Sequence, residues 1–338
     1  MNARCVIAQP IHPVGAELLR SAGCEVIEPR DPAALLEALG SADAVIVRDG
    51  LSAHLMNAAP HLSIIANHGI GVDRIDVAHA SALGIPVTCT PGANSRSVAE
   101  HTLMLMFAVA RQATVADAAT RRGHWGFKYQ RPMLSLYGKT LGIIGFGRTG
   151  QMVCEMASGG LGMRVLVWSP KTDGETVRAA CASRVDSLEE LLEVSDVVSL
   201  HRSMRPENRH TLNAAGIARM KASSIVINTS RGGLIDEQPL IDALAEGRLF
   251  GAGLDVFETE PFQPQGPLAT MSNVVLTPHV AGSSQDALHE TASQCARQVI
   301  AALLGELPPD LVQPEMWAHR RMSAFDCDTD PNRDFEPP

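Results

Sequence analysis

The sequence predicts an α/β protein in which a doubly wound parallel-sheet domain is inserted into a smaller, discontinuous α/β domain. Three observations carry this reading. Short β-branched runs alternate with helical patterns along nearly the whole chain, and strands separated by helices pair in parallel. The chain has 338 residues, more than the roughly 250–300 that a single hydrophobic core usually serves. Helical periodicity resumes after Gly282 and runs through Leu304, long enough to return the chain to the domain in which it began.

Each element follows in order. Residues 5–8 read as a strand, 14–21 as a helix, 25–27 as a strand, 32–39 as a helix and 44–48 as a strand. Residues 62–66 and 85–88 add two strands and complete an α/β unit of about a hundred residues. One long helical pattern then spans residues 97–121, with Val98, Leu103, Leu105, Met106 and Val109 on its apolar face. The stretch 123–137 is irregular. A new sheet begins at 140–144 and continues at 164–168, 196–200 and 224–228, with shorter strands at 252–255 and 273–276. Ser187-Leu-Glu-Glu190 has capping-box spacing and opens a helix to Val194. The polar, proline-bearing end beyond residue 321 reads as a disordered tail.

Bulk composition narrows the partners. Hydrophobic residues at 45% supply ample core, but aromatics at 4% leave the filling to Ala, Val, Leu and Ile. The net charge of −9 argues against a nucleic-acid partner, which would call for a basic face. The most apolar window, 103–110, is too short to span a bilayer, and the N-terminus lacks a signal core, so no membrane partner is expected. Seven cysteines, odd in number and without a C-x-x-C pair, read as reduced thiols of a cytoplasmic protein and not as a metal site.

Gly145-Phe-Gly147-Arg-Thr-Gly150 directly follows a predicted strand and opens a predicted helix. The first glycine permits a tight turn, the second lets backbone approach a pyrophosphate, and the third lets helix and strand pack closely. The N–H groups at Arg148 and Thr149 would then face phosphates at a helix N-terminus. A glycine-rich turn alone would mean little; between strand and helix it points to a dinucleotide, NAD(H) or NADP(H). The carboxylate that normally holds the adenosine ribose of NAD about 20 residues further on is missing. Ser169 stands there with Lys171 nearby, which tilts the choice slightly to NADP(H).

Arg231, Glu260 and His279 each lie just past a predicted strand, on the edge where open α/β sheets bind ligands. Reducing a 2-keto acid needs a hydride at carbon and a proton at oxygen. A histidine titrates in the range to exchange that proton, a carboxylate beside it stabilises imidazolium, and an arginine clamps the substrate carboxylate. Singly, each residue has a structural reading: His279 after Thr-Pro as a packing histidine, Arg231 as a turn cap, Glu260 as solvated surface.

Together with further motifs they resemble the D-isomer-specific 2-hydroxyacid dehydrogenase family. Those motifs are Asn67-His-Gly-Ile-Gly-Val-Asp73, Thr90-Pro-Gly-Ala-Asn94, Gly138-Lys-Thr-Leu-Gly-Ile-Ile-Gly145, Asn228-Thr-Ser-Arg-Gly-Gly-Leu-Ile-Asp236, Gly253-Leu-Asp-Val-Phe257 with Glu260-Pro261, and Thr277-Pro278-His279. The resemblance implies a substrate domain from residues 1–98 and 285–321 and a dinucleotide domain from 99–284. It implies His279 as acid/base, Glu260 as its partner and Arg231 as substrate clamp. Amides of Ile70 and Gly71 would hold the substrate carboxylate. Cofactor contacts carry over to Ile70, Arg148, Thr149, Ser169, His201, Thr229, Arg231, Asp255 and His279, with Asp255 at the nicotinamide carboxamide. Asp73 and Asp76 read as turn and packing residues. A homodimer through the long helix and residues 123–137 is also implied.

Two stretches depart from the pattern. His201-Arg-Ser-Met-Arg205 replaces the usual His-x-Pro-x-Thr, so Arg202 and Arg205 either meet a phosphate or stand solvated, the solvated reading being preferred. Asp49 stands where a serine is common, and Arg48 either binds a distal anion of the substrate or closes a loop salt bridge. Two rivals share this fold: a dinucleotide-sensing protein with little turnover, and a phosphite-oxidising enzyme. Formate-oxidising relatives carry Gln at the position of Glu260, which this chain does not.

Overall fold

The computed structural model describes residues 2–130 and 132–322. The chain divides into two compact units, one from the residues up to Asn94 and from Ser284 onward, the other from Ser95–Ser283. The tail expected beyond residue 321 lies, apart from Met322, outside the described residues.

In the first unit, β1 (Arg4–Ile7), β2 (Glu25–Ile27), β3 (Ala44–Val47), β4 (Ile64–Asn67) and β5 (Val87–Thr88) form a parallel sheet in the order β2-β1-β3-β4-β5. Strand alternation sorts its side chains onto two faces. Cys5, Ile7, Ile46 and Ile64 pack with Leu19, Val299 and Leu303 of helices Pro13–Ser21 and Gln285–Leu303. Val6, Val45, Val47 and Ile65 pack with Leu39, Met56, Leu62 and Ile85 on the other side. Both faces are therefore covered, as a parallel sheet requires. The returning helix Gln285–Leu303 is capped by Ser284, whose hydroxyl accepts from Ala287 N at 3.3 Å. Between β1 and β3 the strand order reverses. There Gln9 Oε1 accepts from Arg48 N at 2.7 Å and from Asp49 N at 3.2 Å.

The second unit carries β6 (Thr140–Ile144), β7 (Arg164–Trp168), β8 (Ser183–Arg184), β9 (Val197–Leu200), β10 (Ile225–Asn228), β11 (Gly251–Leu254) and β12 (Val274–Leu276). They form one parallel sheet, β12-β11-β10-β9-β6-β7-β8. Leu141, Ile143, Val165, Val197, Ile225 and Ile227 face Leu105, Met106 and Val109 of helix Ser95–Ala110. Val198, Leu200 and Val226 face Leu191, Leu192, Ile217 and Leu240. The strand order reverses between β6 and β9, which opens a crevice at their carboxyl ends.

The single helix expected over residues 97–121 is instead two, Ser95–Ala110 and Ala113–Arg121. Gln112 separates them in the left-handed region (φ 50°), and its Nε2 donates to Pro132 O at 3.0 Å. Apolar periodicity continues across the break and cannot register a one-residue reversal. Short helices at Ala53–Asn57, Val77–Ala82, Gly174–Ala179 and Ala214–Arg219 were not expected; each is set by a capping side chain, from Ser52, Asp76, Asp173 and Asn213. Among the described residues no helix is long and apolar enough to cross a membrane.

Candidate active site

The crevice begins where β6 ends. Gly145 turns the chain at φ +92°, and its N–H donates to Trp168 O at 2.9 Å. A Cβ there would stand 2.5 Å from His201 O. A Cβ on Gly150 would stand 2.6 Å from Gly145 O, so this glycine sets the close approach of helix Arg148–Glu155 to the strand. Gly147 is different: a Cβ added to it meets nothing within 4 Å, and it begins the helix without a side-chain cap. Tight turn, open approach and close packing are the three demands a dinucleotide pyrophosphate makes of such a loop, and the residues fit it. Uncapped N–H groups at Arg148 and Thr149 add the positive end of a helix.

His201, at the end of β9, closes one side. Its Nε2 lies 2.8 Å from Ser199 Oγ, while Nδ1 is buried without a hydrogen-bond partner among the described residues. Burial pushes its pKa down to about 4, which keeps the ring neutral near pH 7. On the other side Ser169 Oγ pairs with Thr172 Oγ1 at 2.9 Å, and Lys171 is exposed. Arg205 is exposed as expected. Arg202 is not simply solvated: it is half-buried, with its guanidinium carbon 5.0 Å from the Trp168 ring centroid.

Arg231, Glu260 and His279 follow β10, β11 and β12, three adjacent strands running the same way. Asn228 shapes the first turn: its Oδ1 accepts from Ser230 N at 3.1 Å and its Nδ2 donates to Arg231 O at 2.8 Å. Ser230 Oγ donates to Leu200 O at 2.9 Å, and buried Thr229 pairs with Thr102 through hydroxyls 2.8 Å apart. A Cβ on Gly232 would collide with the backbone of Phe257 and Glu258, so the Arg231 turn presses directly on the loop that carries Glu260.

Glu260 Oε1 accepts from Phe257 N at 3.1 Å, and its Oε2 lies 2.9 Å from His279 Nδ1. The Glu260 side chain is 15% exposed and that of His279 43%, so the pair is anchored at one end and open at the other. His279 sits in the left-handed region (φ 55°), a backbone state costly for a non-glycine residue. Asp255 holds it there. The Asp255 carbonyl accepts from His279 N at 2.8 Å. Its fully buried carboxylate accepts from Thr277 Oγ1 at 2.6 Å, Val280 N at 2.9 Å and Ala281 N at 2.9 Å. His101 Nε2, 3.0 Å from Thr277 Oγ1, backs this cage. Sequence reasoning named Asp255 but missed Asn228, Thr277 and His101. The first two stand inside the quoted motifs; His101 has no local signal.

Arg48, Ile70 and Gly71 belong to the first unit. Asn67 Nδ2 donates to Gly69 O at 2.9 Å and Gly71 O at 3.1 Å, which curls the glycine loop and leaves Ile70 exposed. His68, behind it, is pushed down to about 4 by burial and by the Arg48 charge. Among the described residues one grouping of metal-ligating types occurs, His210, Asp236 and Glu258. There Glu258 Oε1 already pairs with Arg209 and His210, each at 2.8 Å.

A glycine turn that fits a dinucleotide and a histidine–carboxylate pair on one sheet edge are features of a pyridine-nucleotide oxidoreductase. Residues 103–281 match the family described as D-isomer specific 2-hydroxyacid dehydrogenase, NAD binding domain, and the chain belongs to that family of NAD(P)-linked hydroxy acid oxidoreductases. It is 40% identical over 294 residues to a glyoxylate reductase of Korarchaeum cryptofilum, covering 85% of this chain and 88% of that protein. It is 38% identical over 312 residues to D-3-phosphoglycerate dehydrogenase of Methanocaldococcus jannaschii, covering 91% of this chain but 59% of that longer relative. Among solved structures it is similar to an NADPH-dependent glyoxylate/hydroxypyruvate reductase from Sinorhizobium meliloti in complex with NADP and malonate. The TM-score there is 0.82 at 28% identity, over 95% of this chain and 99% of that one.

Proposed function

We propose that the chain interconverts a small 2-keto acid and its D-2-hydroxy acid, with Arg231, Glu260 and His279 as the reacting constellation. The 2.9 Å contact between Glu260 Oε2 and His279 Nδ1 carries this reading. A carboxylate at Nδ1 fixes the proton there and leaves Nε2 as the exchangeable position. The protonated ring then donates from Nε2 to the carbonyl oxygen as that oxygen gains charge. Afterwards the neutral ring keeps its Nδ1–H on Glu260. The guanidinium of Arg231 clamps the substrate carboxylate and polarises the carbonyl. The family resemblance supports Ile70, Gly71 and Arg48, in the first unit, as further substrate-binding residues. A bound reduced nicotinamide supplies the hydride to the carbonyl carbon.

The test is loss of reduced-nicotinamide absorbance when NADH or NADPH is mixed with glyoxylate, hydroxypyruvate, phosphohydroxypyruvate, pyruvate or a bulkier 2-keto acid. Turnover of at least one is expected. Cofactor binding with no turnover of any would favour a sensor. We further propose a preference for NADP(H), supported by Ser169 in place of a carboxylate.

We also propose a cytoplasmic homodimer. Free thiols at Cys5, Cys24, Cys89, Cys154, Cys181 and Cys295 suit a reducing compartment. Met104, Phe107, Trp125, Tyr129, Met133 and Tyr137 are all exposed on helix Ser95–Ala110 and residues 123–137. In the same unit a cavity of about 520 Å³, lined by Val109, Gln112, Pro132, Phe250 and Met271, offers a second copy a place to dock. Light scattering should give twice the chain mass, and Trp125→Ala with Tyr129→Ala should shift it toward monomer. A monomeric parent chain would contradict this.

A further inference from the structure

One cation at the adenosine end of the crevice comes from the turn after β9, not from the β7 turn where a nucleotide-selecting residue is usually sought. Arg202 follows His201 at the end of β9, and its Cγ lies so close to Gly145 that a Cβ on the glycine would be 2.6 Å away. From there the side chain crosses the end of β6 and places its guanidinium carbon 5.0 Å from the ring centroid of Trp168, the last residue of β7. Trp168 immediately precedes Ser169, the position that meets the adenosine ribose in this type of crevice.

Among the described residues that guanidinium has no opposite charge in direct contact. It forms no ion pair with any described residue, although it is half-buried. Burial holds its pKa below the usual arginine value, with the Glu207 charge only partly offsetting this. A cation–π contact with the indole returns part of the desolvation cost, not a counter-charge. The acid nearest in sequence to the β7 turn, Asp173, is committed to capping, accepting from Thr176 N at 2.8 Å and Thr176 Oγ1 at 2.7 Å. Ser169 and Thr172 satisfy each other. Lys171 is exposed and unrestrained, and Arg205 is exposed with Glu207 4.0 Å away.

We propose that Arg202, braced across Gly145 by Trp168, is the residue that selects a 2′-phosphorylated dinucleotide. A planar guanidinium presents its N–H donors around its edge while its face rests on a ring, the geometry that suits paired hydrogen bonds to phosphate. This rests on the dinucleotide reading of the crevice and assigns its selectivity to one side chain.

Calorimetric titration with adenosine 2′,5′-bisphosphate and with 5′-AMP isolates the 2′-phosphate without requiring catalysis. The parent chain should bind the bisphosphate at least about tenfold more tightly, the scale of hydrogen bonds to a charged group. Arg202→Leu should bring that ratio to within about twofold, Arg202→Lys should keep an intermediate ratio, and Lys171→Ala should change it less than about twofold. Trp168→Leu, which removes the brace but not the charge, should lower the ratio partway. Retention of the full ratio in Arg202→Leu, or its loss in Lys171→Ala, would overturn the assignment. So would a parent chain that binds both nucleotides equally, which leaves the crevice intact as a dinucleotide site. Failure of both nucleotides to bind the parent would remove the dinucleotide reading as well.

Discussion

His279→Ala is expected to lower kcat by roughly 10²–10⁴-fold, the usual contribution of a positioned acid/base. Dinucleotide affinity should change no more than about threefold, because the variant removes a group whose main work is in the transition state. The difference follows from position. The proposed pyrophosphate cradle lies at Gly145, Gly147 and Gly150 beyond β6, whereas His279 follows β12 at the edge of the same sheet. No neighbour can substitute. His101, the nearest other imidazole in this network, is 16% exposed and already 3.0 Å from Thr277 Oγ1. The backbone should keep its shape, since Asp255 holds Thr277, residue 279 N, Val280 and Ala281 without using the imidazole. Steady-state rates beside a cofactor titration check both halves. A variant with undiminished kcat would remove His279 from the reaction.

Gly232→Ala should be the most damaging change that adds a single methyl group. The new Cβ would meet main-chain atoms of Phe257 and Glu258, not the tip of a movable side chain. Either the Arg231 turn or the loop of Glu260 must give way, and the two loops carry two of the three residues proposed to react. Overpacking typically costs about 1–3 kcal/mol, which for a domain of this size lowers Tm by roughly 2–10 °C. Misplacement on the order of 1 Å should also lower kcat/KM by about 10²-fold. The adjacent Gly233→Ala is the control. Its Cβ would lie 3.1 Å from Met204 Cε, the flexible end of a side chain, and should cost less than about 1 kcal/mol. Thermal melts and rates of the two variants, measured together, separate a backbone clash from general intolerance of the loop. Equal behaviour of the pair would contradict it.

Much of this was legible because the signals are local. A buried parallel strand is a short β-branched run, so all but the two-residue β8 were foreseen to within a residue or two. The glycines of the cradle differ in what surrounds them, yet their spacing alone carries their roles. Arg231, Glu260 and His279 stood out because each lies just beyond a strand end. What was hidden depends on contacts distant in sequence. Gln112 breaks a helix by reaching Pro132 O, 20 residues on. Asp255 secures a loop 25 residues away, which its motif does not disclose. Arg202 looked like surface because nothing in a linear reading puts Trp168 beneath it.

On the proposed reading, a reduced nicotinamide at this sheet edge delivers a hydride to the D-forming face of C2 of a 2-keto acid while His279 delivers the proton. The most direct test is the product formed from hydroxypyruvate, or from whichever 2-keto acid other than glyoxylate turns over best, with reduced nicotinamide dinucleotide deuterated at C4 on the transferred face. A D-2-hydroxy acid carrying one deuterium at C2 is the predicted result. The L product, or a D product without deuterium at C2, would contradict it.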